Sequence, residues 1–303
     1  MFGTPYLREA IYSESKGTTV DTITISKAEQ YFIPLPPLEE QILIVSKIEE
    51  IFTQIDYLEK GKADLQTAIK HAKSKVLDLA IHGKLVPQDP SEEPASKLLE
   101  KIRAEKEAKI AAGELKRDKN DSYIYKNPSD NCHYEKFEDG ELVKLETPYC
   151  LPECWQWCYF EEIASVINGK NQKQVENPNG KYPIYGSGGI MSRADDYICP
   201  ENCTIIGRKG SINNPIFVQE KFWNVDTAFG LCPNKNILPE YLYYFCKAFD
   251  FTKLDNSTTL PSLTKTNIQK ILFPLPPISE QQRIISKVKE IFTTLEMIEN
   301  NLQ

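Results

Sequence analysis

Histidine is scarce in this sequence. There are three in 303 residues, His71, His82 and His133, and none lies between residues 150 and 272. That block therefore offers no imidazole base. No G-x-x-x-x-G-K-[ST] loop is present either; "YGSGG" at 185–189 lacks the lysine and reads as a tight turn. The Asn-Pro-Pro-aromatic motif with which an amino-methyltransferase clamps its base is missing, and "NNPIF" does not supply it. These gaps argue against an autonomous methyltransferase or nuclease. No run approaches the roughly 20 apolar residues of a membrane span, and no charged-then-apolar leader follows Met1. A cytoplasmic protein without a membrane partner is expected.

The residues that are present suit a soluble chain of two folding units, 41% hydrophobic and 26% charged. The net charge of −7 is unevenly spread: residues 1–149 hold 21 basic and 27 acidic side chains, residues 150–273 hold 12 of each, and residues 274–303 hold 3 and 4. A neutral middle block can still carry a basic face, so the total does not exclude nucleic acid. Among eight cysteines, Cys150/Cys154 with Cys199/Cys203 have spacings a zinc site could use. Their apolar or turn-like surroundings, with no histidine cluster, point instead to buried or incidental thiols. No metal or cofactor is expected.

The dominant feature is a repeat. "IPLPPLEEQ" at 33–41 returns as "FPLPPISEQ" at 273–281, and residues 34–59 match 274–299 at 14 of 26 positions. Thr18-Thr19 and Thr24 likewise align with Thr258-Thr259 and Thr264, so the match marks an internal duplication. Each Pro-Leu-Pro-Pro could serve as a polyproline ligand. It fits a helix entrance better: the prolines enforce an extended approach, Pro37 and Pro277 sit where a missing N–H costs nothing, and Glu39, Glu40 and Glu280 suit the positive end of the helix dipole.

Apolar residues then recur at Ile44, Ile48, Ile51, Ile55, Leu58, Leu65, Ile69, Ala72, Val76 and Leu79, with only Lys62 breaking the seam. In the second copy the series is Ile284, Val288, Ile291, Leu295, Ile298 and Leu302. The period is 3.5 residues, that of coiled-coil packing, over about 53 Å in the first copy. Gly83 should stop the first helix, and "EEPASKLLEKIRAEKEAKIAAGELK" predicts another, with Pro94 in its first turn and Gly113 beyond its end. Antiparallel burial of Ile48, Ile51, Ile55 and Leu58 against Val288, Ile291 and Leu295 is expected. That pairing would leave the stripe from Leu65 to Leu79 for a two-fold dimer.

Residues 114–149 read as a polar linker. From 150 to 273 short aromatic and β-branched runs predict strands at "WQWCYF", "YPIYG", "CTIIGR", "PIFV", "FWNV" and "AFGLC". Helices are expected at 161–167, 239–249 and 264–272. The fold class is α/β (α+β): one mixed α/β domain at 150–273 joined to spacer helices at 34–113 and 274–303. Polar chemistry gathers on two predicted turns. "GRKGS" places Arg208 and Lys209 between glycines, followed by Ser211, Asn213 and Asn214; "YPIYGSGGIMSR" adds Tyr182, Tyr185, Ser187 and Arg193. Arg and Lys suit guanine edges or phosphates and Asn suits adenine. A solvated hairpin with a structural glycine pair is the plainer alternative.

The two "PLPP-x-x-E-Q" helix entrances, "GKLVPQDPSEEPASKLLEKIRAEK", "LPECWQW" and "YPIYGSGGI…GRKGS…FWNVDTA" together make the chain resemble specificity (S) subunits of Type I restriction-modification enzymes. One departure is Cys154, where family members often have Gly. The resemblance implies target recognition domains that read double-stranded DNA and conserved helices that space them. It also implies docking of methyltransferase (M) subunits and, through them, restriction (R) subunits, with no catalytic residue in this chain. By the same resemblance 150–273 is a recognition domain, 1–33 the tail of a truncated first one, and Tyr182, Tyr185, Ser187, Arg193, Arg208, Lys209, Ser211, Asn213 and Asn214 are the DNA-binding candidates. The alternative is a coiled-coil assembly scaffold whose middle domain binds protein.

Overall fold

The computed structural model describes residues 9, 24–30, 32–116, 122–137, 139–254 and 262–302. Most of the tail expected at 1–33, and Thr258-Thr259, lie outside these residues. The chain divides into two compact units, Met1–Asp64 and Leu65–Gln303. The first contains a short helix α1 (Ile25–Ala28) and the opening part of helix α2 (Leu38–Ile81). Pro37 precedes α2 as expected. Its carbonyl accepts from the Gln41 N–H at 3.0 Å, and the Gln41 side chain donates to the Pro36 carbonyl at 2.8 Å. Ile44, Ile48, Ile51, Ile55 and Leu58 are all exposed, so their expected burial does not occur.

Within the second unit the last turns of α2 are buried at Ile69, Leu77, Ala80 and Ile81. Gly83, in the left-handed region at φ 67°, ends the helix: the Lys84 N–H reaches the Leu79 carbonyl and the Gly83 N–H reaches Ala80. Helix α3 (Ala95–Ala111) buries Leu98, Leu99 and Ile102. Helix α7 (Ile278–Asn300), the second copy of the repeat, shares one core with the end of α2 through Ile284, Ile285 and Val288. Lys73 pairs with Glu299 near the end of α7 at 3.0 Å, while Gln88, just past the end of α2, reaches Glu280 near the start of α7 at 2.6 Å, so the later part of α2 and α7 run antiparallel. Of the stripe expected to be uncovered, Ile69 is buried and Ala72, Val76 and Leu79 are half-buried, while Leu65 is exposed. Tertiary packing selected the seam, because both halves of α2 carry the same period.

Residues 114–149 are no simple linker. They contain a three-stranded antiparallel sheet, β1 (Ser122–Lys126), β2 (His133–Phe137) and β3 (Leu142–Leu145). Lys270 fastens it, reaching the Ser122 hydroxyl and the Glu161 carboxylate at 3.1 Å each. The helix expected at 161–167 is one turn, α4 (Phe160–Ile163), and then a strand, β5 (Ala164–Asn168). Val166 and Ile167 find cross-strand partners there, which suits β-branched residues better than a helix interior. Strands β4 (Gln156–Tyr159), β6 (Tyr182–Gly186), β8 (Cys203–Gly207), β9 (Ile216–Val218), β10 (Trp223–Asn224) and β11 (Ala228–Pro233) occupy the predicted runs, while β7 (Gly189–Ala194) forms where a turn was expected. Helix α5 (Pro239–Ala248) fills its expected span, whereas 264–272 divides into α6 (Lys265–Gln269) and the start of β12 (Leu272–Leu275).

The strands form a four-stranded sheet in the order β5-β11-β8-β9, a three-stranded sheet β10-β6-β7, and the pair β12-β4. Phe160, Tyr241, Phe245 and Phe273 interlock in the core, with Phe245 and Phe273 ring centroids 4.6 Å apart. Cys203 and Cys232 are joined as a disulfide between β8 and β11, correcting their reading as free thiols. Among the described residues, no group of three or more His, Cys, Asp or Glu is placed to hold a metal ion, and no helix is long and apolar enough to cross a membrane.

Candidate nucleic-acid interface

Close approaches at two glycines fix the loops at the ends of β5 and β8. Gly207 ends β8. A Cβ there would fall 2.4 Å from the Ser211 carbonyl oxygen and 3.1 Å from the Ser187 Cβ, so the β6–β7 turn and the loop after β8 touch at this point. Gly169 ends β5, and a Cβ on it would collide with the Val225 carbonyl. Its close approach lets the Gly169 N–H donate to Ala228 and the Lys170 N–H to Asn224. The Trp223 indole N–H donates to the Lys170 carbonyl at 3.0 Å. The loop 169–174 is therefore fixed beside residues 223–228.

Arg208 and Lys209 have clamped backbones and exposed side chains. The Arg208 N–H donates to Thr227 at 2.8 Å and its carbonyl accepts from Leu263, while Lys209 bridges to Ser262. Arg208 lies over the Phe229 ring at 5.9 Å. Gly210, at φ 76°, turns the chain, and Ile212 is buried as the anchor of the loop. Ser211 and Asn214 are exposed and Ser187 is half-buried. Ser211 and Ser187 come together at Gly207.

The other candidates are occupied within the protein. Arg193 spends its guanidinium on the Gly180 and Lys181 carbonyls at 2.6 and 2.5 Å, so it straps the preceding loop to β7. Asn213 donates to Asp250 at 2.8 Å and accepts from the Phe251 N–H at 2.7 Å, which pins its loop to 250–251. The Thr252 hydroxyl and then Asn213 hold the Asp250 carboxyl below the ordinary range. Tyr185 packs edge-on against Phe222 at 5.6 Å, and burial raises its phenol. Tyr182 stands against Tyr197 at 5.0 Å, with the Lys181 ammonium 5.4 Å from its ring.

Sequence reasoning missed Lys170 and Lys173, which are exposed on the loop 169–174. The available signal was "NGKNQKQ", a glycine followed by polar and cationic residues between two strands. Together the loops present Lys170, Lys173, Arg208 and Lys209 to solvent, with Asp226 as an exposed acid nearby. Such a surface can hold phosphates with lysine and reserve a planar, bidentate donor for a base edge.

Comparisons with known proteins agree with this architecture. The EcoAI specificity subunit of Escherichia coli is 25% identical over 335 residues, covering 86% of this chain and 53% of that protein. The EcoEI specificity subunit of the same species is 39% identical over 109 residues, 35% of this chain and 15% of the other. The chain thus spans about half the length of the EcoAI protein. Two solved chains share the fold. One is the HsdS subunit from Thermoanaerobacter tengcongensis, with TM-score 0.53 at 15% identity. The other comes from a structure on complex assembly and conformational transition of the type I R-M system, with TM-score 0.61 at 18% identity. Each comparison covers 97% of this chain and 62% of the solved one. The family described as "Type I restriction modification DNA specificity domain" matches residues 152–303. That match takes in half of the chain, which belongs to this family.

Proposed function

We propose that this chain is a cytoplasmic, non-catalytic specificity subunit that binds double-stranded DNA through the loops around Gly207 and Gly169. The observation that carries the reading is the placement of Lys170, Lys173, Arg208 and Lys209 on loops with locked backbones. In this reading residues 150–273 are the recognition domain, flanked by β1–β3. Helices α2 and α7 form the spacer on which methyltransferase subunits dock, with restriction subunits joining through them. The exposed stripe Ile44–Leu58 supports a helix-covering partner, a second copy of the chain included.

The test is retardation of duplex DNA by the purified chain across a salt series. Affinity should fall steeply with salt as phosphate-bound counterions are released. Lys209→Ala should weaken all sequences alike and lower the salt slope by about one, whereas Arg208→Ala should cost about 1–3 kcal/mol and relax choice at one base pair. Binding and target choice intact in the double variant would leave the loop a structural turn. No salt-dependent retardation at all would favour the scaffold reading.

A further inference from the structure

The β6–β7 hairpin carries two large apolar side chains that the polar candidates do not account for. Ile190 is 63% exposed and Met191 62% exposed, side by side near the hairpin tip. On a regular strand neighbouring residues face opposite ways, and one of the two would normally pack inward. Here the register changes: Ile184 pairs with Ser192, but Tyr185 pairs with Ile190, so Met191 is the extra residue of a β-bulge. Bulges re-aim side chains and concentrate beside functional sites. Gly186 completes the arrangement, since a Cβ on it would lie 2.7 Å from the Met191 sulfur. The thioether rests where a side chain would otherwise stand.

This apolar tip is not isolated. The turn that joins its strands meets Gly207, the residue before Arg208 and Lys209. The exposed apolar pair thus lies on a hairpin whose turn touches the loop that carries the exposed Arg208 and Lys209. A two-stranded β-ribbon is narrow enough for the major groove, and the apolar feature of base edges there is the thymine 5-methyl group. Resting on the DNA-binding reading above, we infer that Ile190 and Met191 contact thymine methyl groups in the major groove and make this chain require thymine at one or two positions of its site.

The experiment selects duplexes from a random pool with the full chain, then replaces each thymine of the selected site in turn by deoxyuridine, which removes only the methyl. At the contacted positions wild-type affinity should fall about fourfold per methyl, the equivalent of roughly 0.8 kcal/mol. Ile190→Ala and Met191→Ala remove exposed atoms, so the melting temperature should hold while the thymine–deoxyuridine difference disappears. Equal wild-type affinity for both forms at every position overturns the inference, as does an undiminished difference in both variants. Selection of duplexes without methyl dependence leaves the DNA-binding reading standing and removes only this contact. Failure to select any duplex removes both.

Discussion

The two copies of the repeat have nearly the same local structure and opposite surroundings. In each, the glutamine N–H donates to the proline carbonyl four residues back at 3.0 Å, from Gln41 to Pro37 and from Gln281 to Pro277. In each, the glutamine side chain also reaches the carbonyl five back, at 2.8 Å for Pro36 and 3.2 Å for Pro276. Yet Ile44 and Ile48 are 44% and 46% exposed, whereas their counterparts Ile284 and Val288 are fully buried. The helix entrance is thus a local property, carried by prolines and one glutamine. Burial is a property of neighbours: α7 has the end of α2 and the core of the 150–273 block around it.

The largest expected effect tests that contrast directly. Val288→Asp would bury an unpaired charge and should cost about 3–5 kcal/mol. Ile48→Asp, at the matching position, should cost within about 1 kcal/mol, mostly helix propensity. Thermal unfolding of both variants in parallel decides the point, and equal losses would break the comparison. Sedimentation equilibrium sharpens it. If a second chain covers the first-copy stripe, Ile51→Asp with Ile55→Asp should abolish self-association without lowering the melting temperature of the isolated chain.

What could be read from sequence follows the same division. The duplication, both helix entrances, the Gly83 stop and the strands β4, β6 and β8–β11 rest on neighbours within a few residues, and these were legible, whereas β5 was read as helix and β7 as part of a turn. The register of the helix pair was not, because a 3.5-residue period fits either half of α2 equally well. Nor was the β1–β3 sheet, where "SYIYK" and "HYEKF" alternate too weakly to stand out from polar surroundings. At the interface the glycine-flanked Arg208-Lys209 pair could be found from its composition. The diversion of Arg193 and Asn213 to backbone and Asp250 depends on chain segments that folding brings alongside. Glu280 shows the limit well. It was read as a helix-dipole carboxylate, and it is buried against an indole 125 residues away.

That carboxylate gives the next test. Glu280 accepts from the Trp155 indole at 2.8 Å and from the Gln88 amide at 2.6 Å. Glu280→Ala strands both donors and should cost about 1–3 kcal/mol, while Glu40→Ala on the exposed copy should cost only about 0.3–1 kcal/mol of dipole interaction. Burial also pushes the Glu280 carboxyl above the ordinary glutamate range, with the Trp155 and Gln88 bonds opposing it and Arg283 and Glu92 nearby. Between the ordinary glutamate pKa and the raised one, the folded chain holds a proton that the unfolded chain has released. Its stabilising share is complete below the ordinary glutamate pKa and is lost as pH rises through the raised one. Glu280→Gln keeps an acceptor for the indole and should flatten that slope in denaturant titrations across pH; an unchanged slope would clear Glu280 of the role.

The smallest difference concerns the glutamine that both copies share. Gln281 does two things: its amide donates to Pro276, and its oxygen accepts from the Leu238 N–H at 3.0 Å, just before α5. Gln41 has the first bond and is half-buried. Gln281→Ala should therefore lose the local bond and leave the Leu238 amide without its acceptor, a loss of about 1–3 kcal/mol. Gln41→Ala loses a bond that water can replace and should cost about 0.5 kcal/mol. Hydrogen exchange separates the two causes, because the Leu238 amide should lose protection in Gln281→Ala and keep it in Gln41→Ala. If the two alanine variants lost equal stability with Leu238 still protected, the shared cap would account for the whole effect. The second copy would then owe nothing at this position to the domain packed around it.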